Sequence, residues 1–438
     1  MNSGSANLWK KIYLSLVCAA PFVLIAGIFD YRFHTYFWPK LDFIKLFSKS
    51  AMFDFVGIAD WYFLVIAALA TFGFLFWKEP SPDKKRRWIY LPIILIALGA
   101  IIARFTFEPV LPKVKSFTLE VWGQFVFPAG LFFILIFSLR EKLWIERFQK
   151  MLLLAFTILG ILSIFEFFTN IMPGANRDFI GRLVWPYIDP FVKMKPESAN
   201  WLAYLFGPIA LLSIVRIIKQ KDSFFEYAAL AVSLAVLLLT QSYAGILITG
   251  ILALIFLSVH LSRHARKNLW LVVLLIVIAA AIPISQTKKF QILLGNYKQE
   301  NSIERRLQIY KFNWEAFKKQ PWKGLGPANY QSYFRQNMDE FIGTKIPEVE
   351  IPPHPHNLAV FFWSELGLAG LIAIIVIYIS VIFRLLRNPH KHPASFVFAY
   401  FLGHGIADNA YGLPEIALLF WIMLALVFLV DGANENDG

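Results

Sequence analysis

Apolar positions in this chain come in long unbroken runs. Runs near or above the roughly 17 residues that cross a hydrocarbon core lie at 12–28, 58–77, 88–104, 120–138, 149–169, 199–218, 225–240, 243–260, 269–285, 358–383, 394–406 and 414–430. The pattern predicts an all-α polytopic membrane protein with about 12 transmembrane helices. The 394–406 run is short and holds Gly403 and His404, and only Gln241-Ser242 separates the seventh span from the eighth. The short alternating segments of a β-barrel are absent. One extended polar stretch, Thr287 to Asn357, breaks the pattern between spans nine and ten. The expected division is therefore 1–286 (nine spans), 287–357 (a large loop) and 358–438 (three spans and a tail). No internal repeat is visible, which disfavours an inverted-repeat transporter.

Composition agrees with that class. Hydrophobic residues make up 58% and charged residues 16% of the 438 positions, and mean hydropathy is +0.58. A soluble chain could not hide that much apolar surface. The net charge of +13 would suggest nucleic acid in a soluble protein. Here the cations flank spans, so no nucleic-acid partner is expected. Lys10-Lys11, Lys84 to Arg87, Arg140/Lys142/Arg147, Arg216/Lys219/Lys221, Arg263/Arg266/Lys267 and Arg384/Arg387/Lys391 fall in alternate connections. The positive-inside rule assigns these, with both termini, to the cytoplasm and the 287–357 loop to the outer side. The lone cysteine, Cys18, excludes a disulfide framework within the chain. The N-terminal run lacks a convincing cleavage site and is read as a retained span.

The long loop holds most of the candidate chemistry. Ile303 to Lys319 reads as a helix, with Leu307, Tyr310, Trp314 and Phe317 expected on one apolar face and Arg306 at its rim. Pro321 ends it, and Gly324 and Gly326 permit a tight turn without phosphate-loop spacing. His356, where the loop meets span ten, is either a general base working near neutral pH or a helix-capping residue. His354 and His356 lack a third ligand at sensible spacing, so no metal site is expected. Arg305 and Arg306 form either a diphosphate clamp or a solvated helix face. Arg182, beside Trp185 and Tyr187, carries the same ambiguity. Glu197 and Asn200 at the mouth of span six either face a polar cavity or cap the helix. His404 and Asp408, ionisable groups at the end of span eleven, serve either a functional cavity or helix–helix hydrogen bonding. No serine elbow, loop cysteine nucleophile or nucleotide site is present.

Two motifs, in order, carry a family resemblance. The first is Arg306-x3-Tyr310 followed by Pro321-x2-Gly324-x-Gly326-x2-Asn329-Tyr330. The second is His356-Asn357-x9-Gly367 at the start of span ten. Together they resemble the O-antigen ligase/polymerase superfamily of bacterial envelope glycosyltransferases. There are departures. Members often carry Ser-Arg-Gly/Ala where this chain has Ser242-Tyr243-Ala244-Gly245, so Tyr243 stands at an arginine position and leaves Arg182 or Arg305 to substitute. The residues after Gly367 lack the threonine pair of some ligases.

The resemblance implies a C-type, multi-span glycosyltransferase in the bacterial inner membrane, with its catalytic loop on the periplasmic side. It implies an undecaprenyl-diphosphate-linked glycan as donor, a lipid A-core or similar acceptor, and no cofactor, nucleotide donor or required metal. By position, His356 would be the base and Arg306 the diphosphate contact. Arg305, Arg182, Asn357, Tyr310, Asn329 and Asn200 would bind substrate. Within the family, a polysaccharide polymerase or a protein O-oligosaccharyltransferase fits the same motifs. A flippase or transporter of the lipid-linked glycan is the reading from another class; it should show intramembrane charge pairs and pseudo-repeats.

Overall fold

The structure, a computed structural model, describes residues 8–22, 25, 90–106, 121–169, 183, 185–186, 197–219, 224–262, 291, 302–344, 346 and 351–431. The expected spans 58–77 and 269–285, and Arg182, lie outside the described residues.

What is described is almost wholly helical. The sole described pairing of strands is a two-residue antiparallel contact, β1 (Trp185–Pro186) with β2 (Glu197–Ser198). The helices are α1 (8–22), α2 (Tyr90–Thr106), α3 (Phe127–Ser138), α4 (Lys142–Thr169), α5 (Ala199–Lys219), α6 (Phe224–Thr240) and α7 (Tyr243–His260). After the long gap follow α8 (Ser302–Lys319), α9 (Tyr330–Ile342), α10 (Leu358–Arg387), α11 (Pro393–Ala407) and α12 (Pro414–Leu426). Among the described residues, α4, α5, α7 and α10 are long and apolar enough to cross a membrane. Helices α2, α3, α6, α11 and α12 are apolar but shorter. A π-helical turn, Trp122–Val126, precedes α3, and another, Val427–Asp431, follows α12.

The central post is α5, whose apolar window is 83% buried. It packs on α6, α7 and α11; α10 packs on α2 and α11, and α12 on α3. Aromatic edges fill the seam between α3, α10 and α12. The Phe125 ring lies 5.4 Å from Phe362 and 5.8 Å from Tyr411. The Tyr411 hydroxyl donates to the Gln124 carbonyl and accepts from the Trp421 indole.

Two contacts join connections that the sequence groups on one side. Lys10 pairs with Glu141 at 3.1 Å, and Lys219 Nζ donates to the His390 carbonyl at 3.2 Å. Arg216, counted above as a connection charge, is a correction. It is buried, with Nε and Nη2 on Glu226 Oε1 at 3.0 and 2.9 Å and Nη1 on Gln149 Oε1 at 2.6 Å. A guanidinium taken from water is tolerable only with such partners, so Arg216 ties α4, α5 and α6 together.

Helices α8 and α9 form a separate small core of Ile309, Phe312, Ala316, Tyr330, Phe334 and Phe341, with Leu325 and Trp363. The expected face of α8 is also corrected. Ile309, Phe312 and Ala316 point inward, whereas Leu307 and Trp314 are 61% and 60% exposed. Both stripes have helical spacing; docking against α9 selects the one with Phe312, whose ring sits 4.2 Å from Phe334.

The turn after α8 is locked onto a break in α10. Gly367 has φ 66° and ψ −154°, a region open essentially to glycine alone. The break frees the Ser364 carbonyl from its usual partner, the Leu368 N–H. Leu325 and Gly326 N–H donate to it instead, each at 2.8 Å, and Leu368 N–H donates to the Trp322 carbonyl at 3.0 Å. A Cβ on Gly324 would lie 2.2 Å from the Trp363 carbonyl, and one on Gly367 2.5 Å from the Trp322 carbonyl. The Trp363 indole N–H donates to the Pro321 carbonyl, and Ala328 N–H to Glu365 Oε2. The two motif glycines are therefore the two sides of one backbone joint.

Candidate active site

The starts of α5, α7 and α10 and the end of α11 converge, and α8 reaches them from the loop. The centre is Asp408, the residue that ends α11. Its side chain is 7% exposed. Oδ1 accepts from His356 Nδ1 at 2.6 Å and from the Asn409 N–H at 2.7 Å. Oδ2 faces Arg306 Nη2 at 3.5 Å and accepts from Asn200 Nδ2. Burial by itself would raise the Asp408 carboxyl. The charge and hydrogen bond of His356 and the charge of Arg306 outweigh it and hold the group well below the usual carboxylate range.

An ionised carboxylate only accepts, so the proton on the bonded imidazole nitrogen is Nδ1–H. In the neutral imidazole that leaves the Nε2 lone pair of His356, whose side chain is 27% exposed, as a proton acceptor. Arg306 is 29% exposed and meets Asp408 with one arm. A guanidinium carries five donors, so most of its capacity faces away from the carboxylate.

The other expected residues divide. Asn200 is in the cluster: Nδ2 holds Asp408, and Oδ1 accepts from Ser242 Oγ at 2.7 Å. Ser242 Oγ also caps α7 by accepting from Gly245 N–H. The family stretch that lacks its arginine thus still reaches the site through a serine and an asparagine. Tyr310 is there too, but its hydroxyl lies on the carbonyls of His356 and Ile406, at 3.2 and 3.0 Å. It ties α8 to the start of α10 and the end of α11. Burial raises its phenol, the Arg306 charge opposing and the Asp408 charge adding. Asn357 is the helix cap: Oδ1 accepts from Val360 N–H at 3.1 Å, and Nδ2 donates to the Ile406 carbonyl. Capping thus falls to Asn357 and leaves His356 free for Asp408.

Two residues sit differently. Arg305 lies 3.5 Å from Gln308 Oε1 on its own helix. Asn329 is buried in the turn, with Nδ2 on the Leu325 carbonyl, and is occupied in holding the Gly324 joint. His354 packs behind His356 with rings 5.7 Å apart. Burial, then the neighbouring His356 charge, push it down to about 4. The pair His404 and Asp408 also divides. His404 is used between helices, with Nδ1 2.8 Å from the Tyr400 hydroxyl and its ring stacked 4.2 Å from Tyr204. No group of three metal-ligating side chains occurs among the described residues.

Residues 228–375 match the family model described as O-antigen ligase. Over this stretch the chain is similar to the O-antigen ligase superfamily. The matched region contains Arg306, the Gly324–Gly367 joint and His356, whereas Asn200 and Asp408 lie beyond its limits. Among curated proteins, none matches the chain significantly. The family is one of glycan ligases and polymerases, with lipid-linked glycan and an acceptor as its partners in general terms.

Proposed function

We propose that this protein is a ligase-type glycosyltransferase that moves a glycan from undecaprenyl diphosphate onto a lipid A-core or similar acceptor, at the outer face of the bacterial inner membrane. The observation that carries the reading is the Asp408–His356 pair with Arg306 on the same carboxylate. About twelve spans, with the 287–357 loop outside, would hold this cluster at the membrane surface.

The acceptor hydroxyl gives its proton to His356 Nε2 as its oxygen bonds to the anomeric carbon. The bond from that carbon to the diphosphate oxygen breaks, and its electron pair leaves with the lipid diphosphate. Arg306 faces the negative charge that develops there. Asp408 keeps the imidazole in the correct tautomer and steadies the imidazolium. With both its oxygens occupied, Asp408 is not a nucleophile. A single displacement follows, with inversion at the anomeric centre. The guanidinium supplies the charge a metal would otherwise supply, so transfer should survive chelation by EDTA.

The test is a reconstituted assay with lipid-linked glycan and, in turn, lipid A-core, a second lipid-linked glycan or protein as acceptor. Label on lipid A-core supports the ligase, and lengthened lipid-linked glycan identifies a polymerase. Glycan carried across vesicles with no new bond identifies a transporter. Full transfer by His356→Ala would remove the base assignment.

A further inference from the structure

Trp314 on α8 has no role in the chemistry above, although the helix face it lies on begins there. Arg306, Tyr310 and Trp314 are spaced four apart, so they run along one face of the helix. Trp314 is 60% exposed, yet its ring is held. It stacks on Phe317 with centroids 6.0 Å apart and planes 12° from parallel. Phe317 in turn rests 5.3 Å from Trp363, which is buried in the joint. The result is a tryptophan fixed from behind, its outer surface open, on the side of α8 that leads from the arginine.

We propose that Trp314 is a sugar subsite for the donor glycan, at a distance from the reacting bond; this rests on the ligase reading above. A pyranose offers a flat face of C–H groups, which an aromatic face attracts through its negative quadrupole. Eight residues at about 1.5 Å each put Trp314 roughly 12 Å from Arg306, the length of roughly two or three sugar rings. A glycan whose diphosphate lies at Arg306 and which follows this face therefore reaches Trp314 with its second or third sugar. Lys311 and Lys318 flank the ring in sequence, and Lys318 is held by Glu315 at 2.6 Å. The same setting also suits a tryptophan at a membrane surface, which is the competing occupant.

The test compares two donors in the reconstituted protein: intact lipid-linked glycan from the cells that make it, and the same lipid diphosphate bearing one sugar. Trp314→Ala should lower kcat/KM for the intact donor by about 3- to 10-fold, the worth of one aromatic contact, and leave the one-sugar donor unchanged. Trp314→Phe should keep most of the activity. Equal loss on both donors, or no loss on either, overturns the subsite. Brominated lipids that quench wild-type fluorescence more than that of Trp314→Phe assign the ring to the membrane and overturn it as well. If the wild type transfers from neither donor, the ligase reading fails. The subsite is then judged by the free glycan: a fluorescence change present in wild type and absent in Trp314→Phe upholds it, and identical responses overturn it.

Discussion

At the scale of single residues, the site is set by one buried carboxylate. A carboxamide at 408 can donate as well as accept, and would allow the tautomer with the proton on Nε2, which cannot act as a base. Asp408→Asn should therefore lower kcat by about 100-fold or more with little change in KM, read in a reconstituted transfer assay at saturating donor. His354 gives a second expectation. Its folded value, about 4, lies below the ordinary 6.5. Between those values the unfolded chain binds the extra proton, so folded stability is full above about pH 6.5 and declines as pH falls toward 4. His354→Gln should flatten that acid-side decline in the thermal midpoint of the purified protein. Local motifs singled out Arg306 and His356 in the sequence, and the structure brings both to one carboxylate. Asp408 was singled out with His404, but its pairing with His356 was not, since that partner is 52 residues away in the chain and only tertiary packing joins them. The signal available was an acid at the end of an apolar helix, which needs a partner wherever it is buried.

At the scale of elements, the loop from α8 to the glycine turn was read correctly as helix, proline stop and turn, but α9 and the buried face of α8 were not. Two apolar stripes with the same helical period cannot be ranked without the partner helix. The joint between the turn and α10 was equally hidden, because its bonds to the Ser364 and Trp322 carbonyls use main-chain atoms that every residue has. Its cost of disruption is large. Gly367→Ala adds a side chain to a backbone conformation reserved for glycine and presses it against the Trp322 carbonyl. The expected loss is about 2–4 kcal/mol, from strain and overpacking together. It should appear as a lower thermal midpoint, with transfer lost in parallel because His356 and Arg306 sit on the two elements the joint connects.

At the scale of the whole molecule, the apolar runs gave the helical class, and two contacts join connections that the charge pattern grouped. What the pattern could not reveal is that Arg216 is interior. Arg216→Met should cost about 3–5 kcal/mol because it leaves Glu226 buried without its cation, whereas Arg216→Met with Glu226→Leu should recover most of that. Thermal midpoints of the two variants in one detergent decide it. The joint has a consequence for how such a protein can diversify. Ser364 and Leu325 meet through main-chain atoms, and the side chains that add to the attachment, Trp363, Glu365, Asn329 and Tyr310, leave Leu307 and Trp314 out of it. Exposed positions such as Leu307 and Trp314 can then be exchanged for a different glycan without loosening the joint that holds the base to the arginine.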